Sequence, residues 1–534
     1  MEFHIHLSDK WSRFNNNVFL YSNWSESYLP QRSELFREKL IDSLADTPCI
    51  LHDNNKLLIQ SDRYNTAPIY FVRINNEIIV SDSLKYLLGT SKFSFSTEQA
   101  WEHLLFDFSF TPFKTLINNV CKIPAGTTIE LSCNGEYKVI KQLDNAVPKT
   151  ASSMTETQFL TEVTQLKEEI LRRTTPHDSF YIPLSGGLDS RLLLGILAKY
   201  TSAEIYSRTY GDIRSLDVKN GTRVAQKLNI RHEIISKTDE EALSEFEQTV
   251  LESAGELNGV HGHDLAGREM FENGPWRARI SGFIGDLLAR GANLEDSIES
   301  KDEALANYLG TKTNFFKYDY NKLIHSRNQN STELIKGTIS THLSEIFETY
   351  GDYKSLTWDY YITKRVGCMT SLLEYFTHVS KPNYKPLLIP EVRQFISENA
   401  GNDKWPGMGY VQLAKALFPE LLDIPLSSNS VFVSRYSMFR FKLRRRSNLF
   451  LNRILSKGSK GYIFPLPFNA TLNWGAILRR NPVWVKKNII SAAETFELNK
   501  NYIDALYIDH CEGKRTHEEI LLRIISLGVI ANTL

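Results

Sequence analysis

Phe180-Tyr181-Ile182-Pro183-Leu184, then Ser185-Gly186-Gly187-Leu188-Asp189-Ser190, then Arg191-Leu192-Leu193-Leu194-Gly195-Ile196-Leu197-Ala198 follow one another without a break. The first run is short and apolar like a buried strand, the second is a glycine-rich turn, and the third has the apolar density of a buried helix. Beyond it, Ala203 to Tyr210 reads as a strand, Asp217 to Leu228 as a helix and the stretch around His232 to Ile235 as another strand. Strands alternating with helices imply a parallel sheet with helices on its faces. Ligands of such sheets bind at the carboxyl ends of the strands, where the Ser185 to Ser190 turn lies.

Upstream, Thr155-Glu156-Thr157-Gln158 is a capping box, and Phe159, Leu160, Val163, Leu166 and Ile170 follow at helical spacing. Before that helix the chain is mainly strand: Pro48 to Gln60 folds about Asp53-Asn54-Asn55, and Ile69 to Ile74, Glu77 to Ser81 and Thr127 to Leu131 are β-branched or alternating runs. The polar, proline-containing stretch Leu143 to Ser153 separates the two patterns. It divides the chain into a strand-rich region 1–145 and a second region 150–534.

The 534 residues carry 62 basic and 62 acidic side chains, so no bulk charge draws the protein to nucleic acid or to a membrane surface. Its 42% hydrophobic residues are enough for sizeable cores. Cys49, Cys121, Cys133, Cys368 and Cys511 form no CxxC pair and no zinc spacing, which fits a reducing cytoplasm. The opening MEFHIHLSDKW has neither the basic start nor the apolar core of a signal peptide, and no apolar run is long enough for membrane insertion.

The turn has the chemistry of a phosphate site. Gly186 and Gly187 let the backbone approach an anion, while Ser185, Ser190 and the N–H groups of the helix start can donate to phosphate oxygens. Asp189 would repel a bare phosphate, so a Mg²⁺ ion between the two explains its presence. The Walker A pattern is absent from the chain.

Ser185 to Ser190 resembles the pyrophosphate loop of the ATP pyrophosphatases, and the wider likeness is to asparagine synthetase and its relatives, which include β-lactam synthetases and lasso-peptide cyclases. Ile280-Ser281-Gly282-Phe283-Ile284-Gly285-Asp286 is similar to the family's strand and G-x-G-x-D-type segment, with a one-residue departure in glycine spacing. Leu417 to Pro425 and Lys457 to Leu466 look like stretches near the end of its synthetase domain. The resemblance covers most of residues 155–480. It implies ATP and Mg²⁺ as cofactors, Asp189 and Asp286 as metal ligands, and Ser185, Gly186, Gly187 and Ser190 as holders of pyrophosphate. A late lysine of the family stabilises charge during adenylation and acyl transfer; Lys460 takes that place, with Lys457 as the alternative. The implied fold class is α/β: a strand-rich α+β domain like the Ntn hydrolases, then a doubly wound parallel-sheet ATP pyrophosphatase domain with a helical C-terminal part.

The N-terminal region resembles the family's glutaminase domain. Asp62 to Phe71 sits where the family has D-x-x-G-x-x-P-L-Y-Y, and Pro124-Ala125-Gly126 matches its P-x-G turn. Glutamine hydrolysis needs a cysteine at the mature N-terminus, whose own amino group acts as base. Position 2 is Glu2, so glutaminase activity is not expected and the domain is read as structural or as a surface for a partner protein.

A general base for the incoming amine is sought at Glu374 and His378, spaced i,i+4 on an expected helix; each is read either as the base or as a structural group satisfied within the fold. The family's acidic position in a P-F-L-D-like segment is Ile389 here, with Lys385 just before Pro386, which argues against aspartate as substrate. His261-Gly262-His263-Asp264 is open between metal binding and a substrate contact, and Arg444 to Arg446 between a solvated helix face and an anion site. The expected function is that of an AMP-forming amide ligase acting on small-molecule or peptide carboxylates and amines. A lasso-type macrocyclase and a non-catalytic scaffold are the alternatives.

Overall fold

In the computed structural model the chain is described over residues 2–15, 18–21, 47–53, 55–143, 155–174, 177–264, 271–285, 298–324, 331–376, 381–389, 392–395, 408–426 and 472–533, with scattered positions between 443 and 459. The N-terminal strands are β1 (Glu2–His6), β2 (Trp11–Asn15), β3 (Val18–Tyr21), β4 (Cys49–Asp53), β5 (Lys56–Gln60), β6 (Tyr70–Ile74), β7 (Glu77–Ser81), β8 (Val120–Lys122), β9 (Thr127–Ser132) and β10 (Tyr137–Gln142). Helices α1 (Leu84–Leu88) and α2 (Thr97–Phe106) join β7 to β8.

These strands build a mixed four-stranded sheet, ordered β1-β7-β6-β8, and an antiparallel six-stranded sheet, ordered β10-β9-β5-β4-β3-β2. Alternation along the strands sends Leu57 and Ile59 of β5, Ile129 and Leu131 of β9, Phe71 of β6 and Ile78 and Val80 of β7 into one apolar core. The inner faces of the two sheets thus pack on each other. Asp62 accepts hydrogen bonds from the Tyr64 and Thr66 amides at 2.9 and 2.7 Å, closing a local turn. Asn65 stands where the glutaminase pattern has glycine and adopts a left-handed φ of 55°, a region that asparagine tolerates better than most side chains.

Helix α3 (Glu156–Thr174) begins with the expected reciprocal cap. The Gln158 amide donates to Thr155 Oγ1 at 3.3 Å and the Thr155 amide to Gln158 Oε1 at 3.0 Å. Phe159, Val163, Leu166 and Ile170 pack into the core. Leu160, expected on the same face, is exposed, because one step along a helix turns a side chain by about 100°.

The second sheet follows from β11 (Ser179–Pro183), α4 (Leu188–Tyr200), β12 (Glu204–Tyr210), α5 (Leu216–Lys227), β13 (Arg231–Ile235), α6 (Asp239–Glu252), β14 (Ala278–Ile280) and β15 (Asn383–Tyr384). All neighbouring strands are parallel, in the order β13-β12-β11-β14-β15. The chain steps outward from β11 to β13 and then returns to lay β14 on the other side of β11. That is a doubly wound α/β sheet with its switch point between β11 and β14. One boundary differs from expectation: α4 starts at Leu188, so Asp189 and Ser190 lie in its first turn.

The C-terminal part is helical, with Trp474–Arg480, Pro482–Thr495, Lys500–Cys511 and Glu518–Ala531. Ile489, Leu521 and Ile525 from it share a core with Ala100, Leu104 and Leu105 of α2 and Phe246 of α6. The N-terminal region is therefore built into the same hydrophobic body as the C-terminal helices. The boundary expected at 145–150 lies outside the described residues. Among the described residues no helix is long and apolar enough to cross a membrane.

Asp107, at the end of α2, ties these parts together. Its carboxylate accepts from Asn258 Nδ2 at 2.8 Å, lies 3.1 Å from His261 Nε2 and pairs with Arg523 Nε at 3.5 Å. Burial opposes its ionisation, but Arg523, His261 and Asn258 outweigh burial and lower its pKa from 3.8 to about 2. A depressed carboxyl stabilises the fold fully above its unfolded pKa, and the contribution disappears as pH falls through the folded value. Stability should therefore drop by about 2 kcal/mol between roughly pH 4 and pH 2 on this account. Urea midpoints against pH should show a shallower acid limb for Asp107→Asn; an unchanged limb would assign the loss to other carboxyls.

Candidate functional site

Two turns leave the carboxyl ends of the adjacent strands β11 and β14. One is the Ser185 to Gly187 turn and the other begins at Ser281. They meet at Gly282, where an added Cβ would come within 2.9 Å of the Asp189 Cβ and 3.4 Å of the Ser190 amide nitrogen. Glycine at this position is what lets the turns approach so closely.

Within the first turn, Ser190 Oγ accepts from the Ser185 amide at 3.2 Å and lies 3.2 Å from Ser185 Oγ, which accepts from the Gly187 amide at 3.2 Å. Gly187 is the N-cap of α4, in extended backbone and with no side-chain cap. The amides of the first helical turn and the positive end of the helix dipole thus point to a place suited to phosphate.

Two charged groups that the sequence reading did not single out hold this turn from behind. Asp217, in the first turn of α5, accepts from the Gly186 amide at 3.0 Å. Arg191 donates Nη2 to the Gly186 carbonyl at 3.0 Å. A cation directly before the apolar run Leu192-Leu193-Leu194 was the available signal for Arg191. Nothing local pointed to Asp217, because its partner lies on the neighbouring strand's turn.

Asp189 is partly exposed beside the second turn and offers the hard oxygen that Mg²⁺ takes. Magnesium in nucleotide sites uses one or two carboxylates together with the phosphates, so the donor set fits that ion. Asp286 lies outside the described residues, directly after Gly285.

Glu374 lies on the helix Ser371–Phe376, in a buried polar cluster. Ser281 Oγ donates to it at 2.6 Å, Arg279 Nη1 at 3.0 Å and Asn383 Nδ2 at 3.2 Å. Burial pushes its pKa up, but Arg279, Lys385 and the hydrogen bonds from Ser281 and Asn383 outweigh it and hold the carboxyl below the usual range. A carboxylate so engaged is a weak proton acceptor. Its geometry suits holding Ser281 at the start of the second turn. The adjacent Tyr375 donates its hydroxyl to Asp82 at 2.6 Å, and Lys10 Nζ reaches the Tyr375 carbonyl at 2.9 Å, so the N-terminal region braces the same helix.

The other sequence candidates separate. His261 pairs with Asp107, and among the described residues no three His, Cys, Asp or Glu side chains converge as a metal site. His378, Lys457, Lys460, Arg444 and Arg445 lie outside the described residues, while Arg446 is exposed. Glu2 opens β1. Burial raises the thiol of Cys49 to about 12 and pushes those of Cys121 and Cys368 upward as well.

Residues 165–257 match the family model of asparagine synthase. The matched segment carries the Ser185 to Gly187 turn with β11, α4, β12, α5, β13 and α6, and over it the chain has the architecture of that family's ATP pyrophosphatases. At family level this is the segment of an ATP-using, adenylation-type enzyme. The asparagine synthase match ends before β14, so the contact of Gly282 with Asp189 is an observation independent of it. No curated protein matches the chain.

Proposed function

We propose that the protein is an ATP-dependent, AMP-forming amide ligase without glutaminase activity, active in specialised-metabolite or surface-glycan biosynthesis. The observation that carries this reading is the closure of the Gly282 turn on Asp189 at the switch point, beside a helix start that lacks a side-chain cap. Activation is required because a carboxylate has no good leaving group. A carboxylate oxygen of the substrate attacks the α-phosphorus of ATP, the new O–P bond replaces the bond to pyrophosphate, and an amine or ammonia then attacks the acyl carbon and releases AMP. Ser185, Gly186, Gly187, Ser190 and the α4 amides receive the departing pyrophosphate. Asp189 and Asp286 would hold Mg²⁺, which supplies neutralisation of phosphate charge when bound. Lys460, or Lys457 in its place, offers an ammonium for the charge that builds at the α-phosphate. Glu374 orients the Ser281 turn.

Residues 150–534 form the ligase part on this reading, and residues 1–145 a glutaminase-like part that serves as brace and as a surface for a partner protein. The raised thiol pKa values of Cys49, Cys121 and Cys368 make these side chains poor nucleophiles for glutamine hydrolysis. The five unpaired cysteines suit the cytoplasm.

Incubation with ATP, Mg²⁺, hydroxylamine and a panel of carboxylic acids should yield AMP, pyrophosphate and the hydroxamate of one acid class, and no glutamate should appear from glutamine. Release of ADP and phosphate instead would remove the assignment.

A further inference from the structure

Arg191 is only 2% exposed and directs its guanidinium at four main-chain carbonyls. Nη1 donates to Leu421 and Ile424 at 3.1 and 2.8 Å, and Nη2 to Gly186 and Pro425 at 3.0 and 3.2 Å. One planar fork therefore joins the phosphate turn to the turn at 419–425, a link that a lysine's point charge cannot reproduce. Among the described residues its hydrogen-bond partners are carbonyl dipoles, which compensate a buried cation incompletely. Pyrophosphate in the turn supplies negative charge on the far side of Gly186.

We propose that Arg191 is a positioning residue for adenylation, which fixes Gly186 in its phosphate-binding shape and transmits occupancy of the turn to residues 419–425. This rests on reading Ser185 to Ser190 as the pyrophosphate site.

Hydrogen exchange on the full-length protein tests the link without any variant. Adding magnesium pyrophosphate should slow exchange of the amides of residues 420–424 and 426. Arg191→Lys keeps a positive charge but loses the fork; it should abolish that slowing and lower kcat about ten- to a hundredfold, with pyrophosphate affinity changed less than about threefold. Arg191→Met should weaken pyrophosphate binding about ten- to a hundredfold. Exchange at 420–424 and 426 that is indifferent to pyrophosphate in the unaltered protein, or equal protection in Arg191→Lys, would overturn the inference while leaving the ligase reading in place. An unaltered protein that binds no pyrophosphate would fail the ligase reading itself, and the inference with it.

Discussion

Asp189→Ala should reduce acid-dependent pyrophosphate release by about a thousandfold or more, the scale of losing a metal ligand that acts on transferring phosphoryl groups. The fold should survive. Alanine retains the Cβ that packs against Gly282, and the side chain beyond it is partly exposed. A carboxylate near the positive end of α4 contributes about 0.3–1 kcal/mol that alanine gives up. Thermal unfolding should therefore move little while turnover collapses. Asp189→Asn should also fail, since a neutral amide cannot replace the ionic ligand. Wild-type pyrophosphate release by either variant would take the metal role away from Asp189.

Glu256→Gln should have the largest effect on stability, about 3–5 kcal/mol, the cost of leaving one member of a buried ion pair alone. Glu256 is 0% exposed and accepts from Lys122 Nζ at 3.0 Å, Ser109 Oγ at 3.1 Å and the Leu116 amide at 2.7 Å. Lys122, 3% exposed on β8, would be left without its countercharge. Burial opposes both ionisations, yet each partner's field outweighs it: Glu256 is held below its ordinary pKa and Lys122 above. The pair joins the N-terminal sheets to the turn after α6, so its loss loosens the two regions together. A double-mutant cycle with Lys122→Met, read by urea unfolding, should show a double loss well below the sum of the single ones. Additive losses would mean that the two charges act separately.

Much of the central sheet was legible from local rules. The Thr155 cap, the stripe Phe159, Val163, Leu166 and Ile170, and the strand-turn-helix around Ser185 each depend on residues a few positions apart, and local hydrogen bonding and periodicity reach that far. Leu160 was misplaced because an apolar residue next to a stripe has the same composition signal as one on it. The start of α4 was misjudged because glycine and serine mark a turn as readily as a helix N-terminus. The partners of Glu374 were not visible locally: Arg279 and Ser281 lie 95 and 93 positions before it, and Asn383, nine positions after it, reaches it only through the placement of β15.

By itself the sequence determined that this protein has a parallel α/β sheet with a glycine-rich turn at a strand's carboxyl end, and that position 2 is not a cysteine. The tertiary structure decided which strand stands beside that turn. Strand order is set by the burial of whole faces and by pairings such as Phe180 with Ala278, which leave no local pattern. Only that order brings Gly282 against Asp189, Asp217 under Gly186 and Arg191 between the phosphate turn and residues 421–425, since each contact spans segments whose separation along the chain carries no energetic information until the sheet has formed.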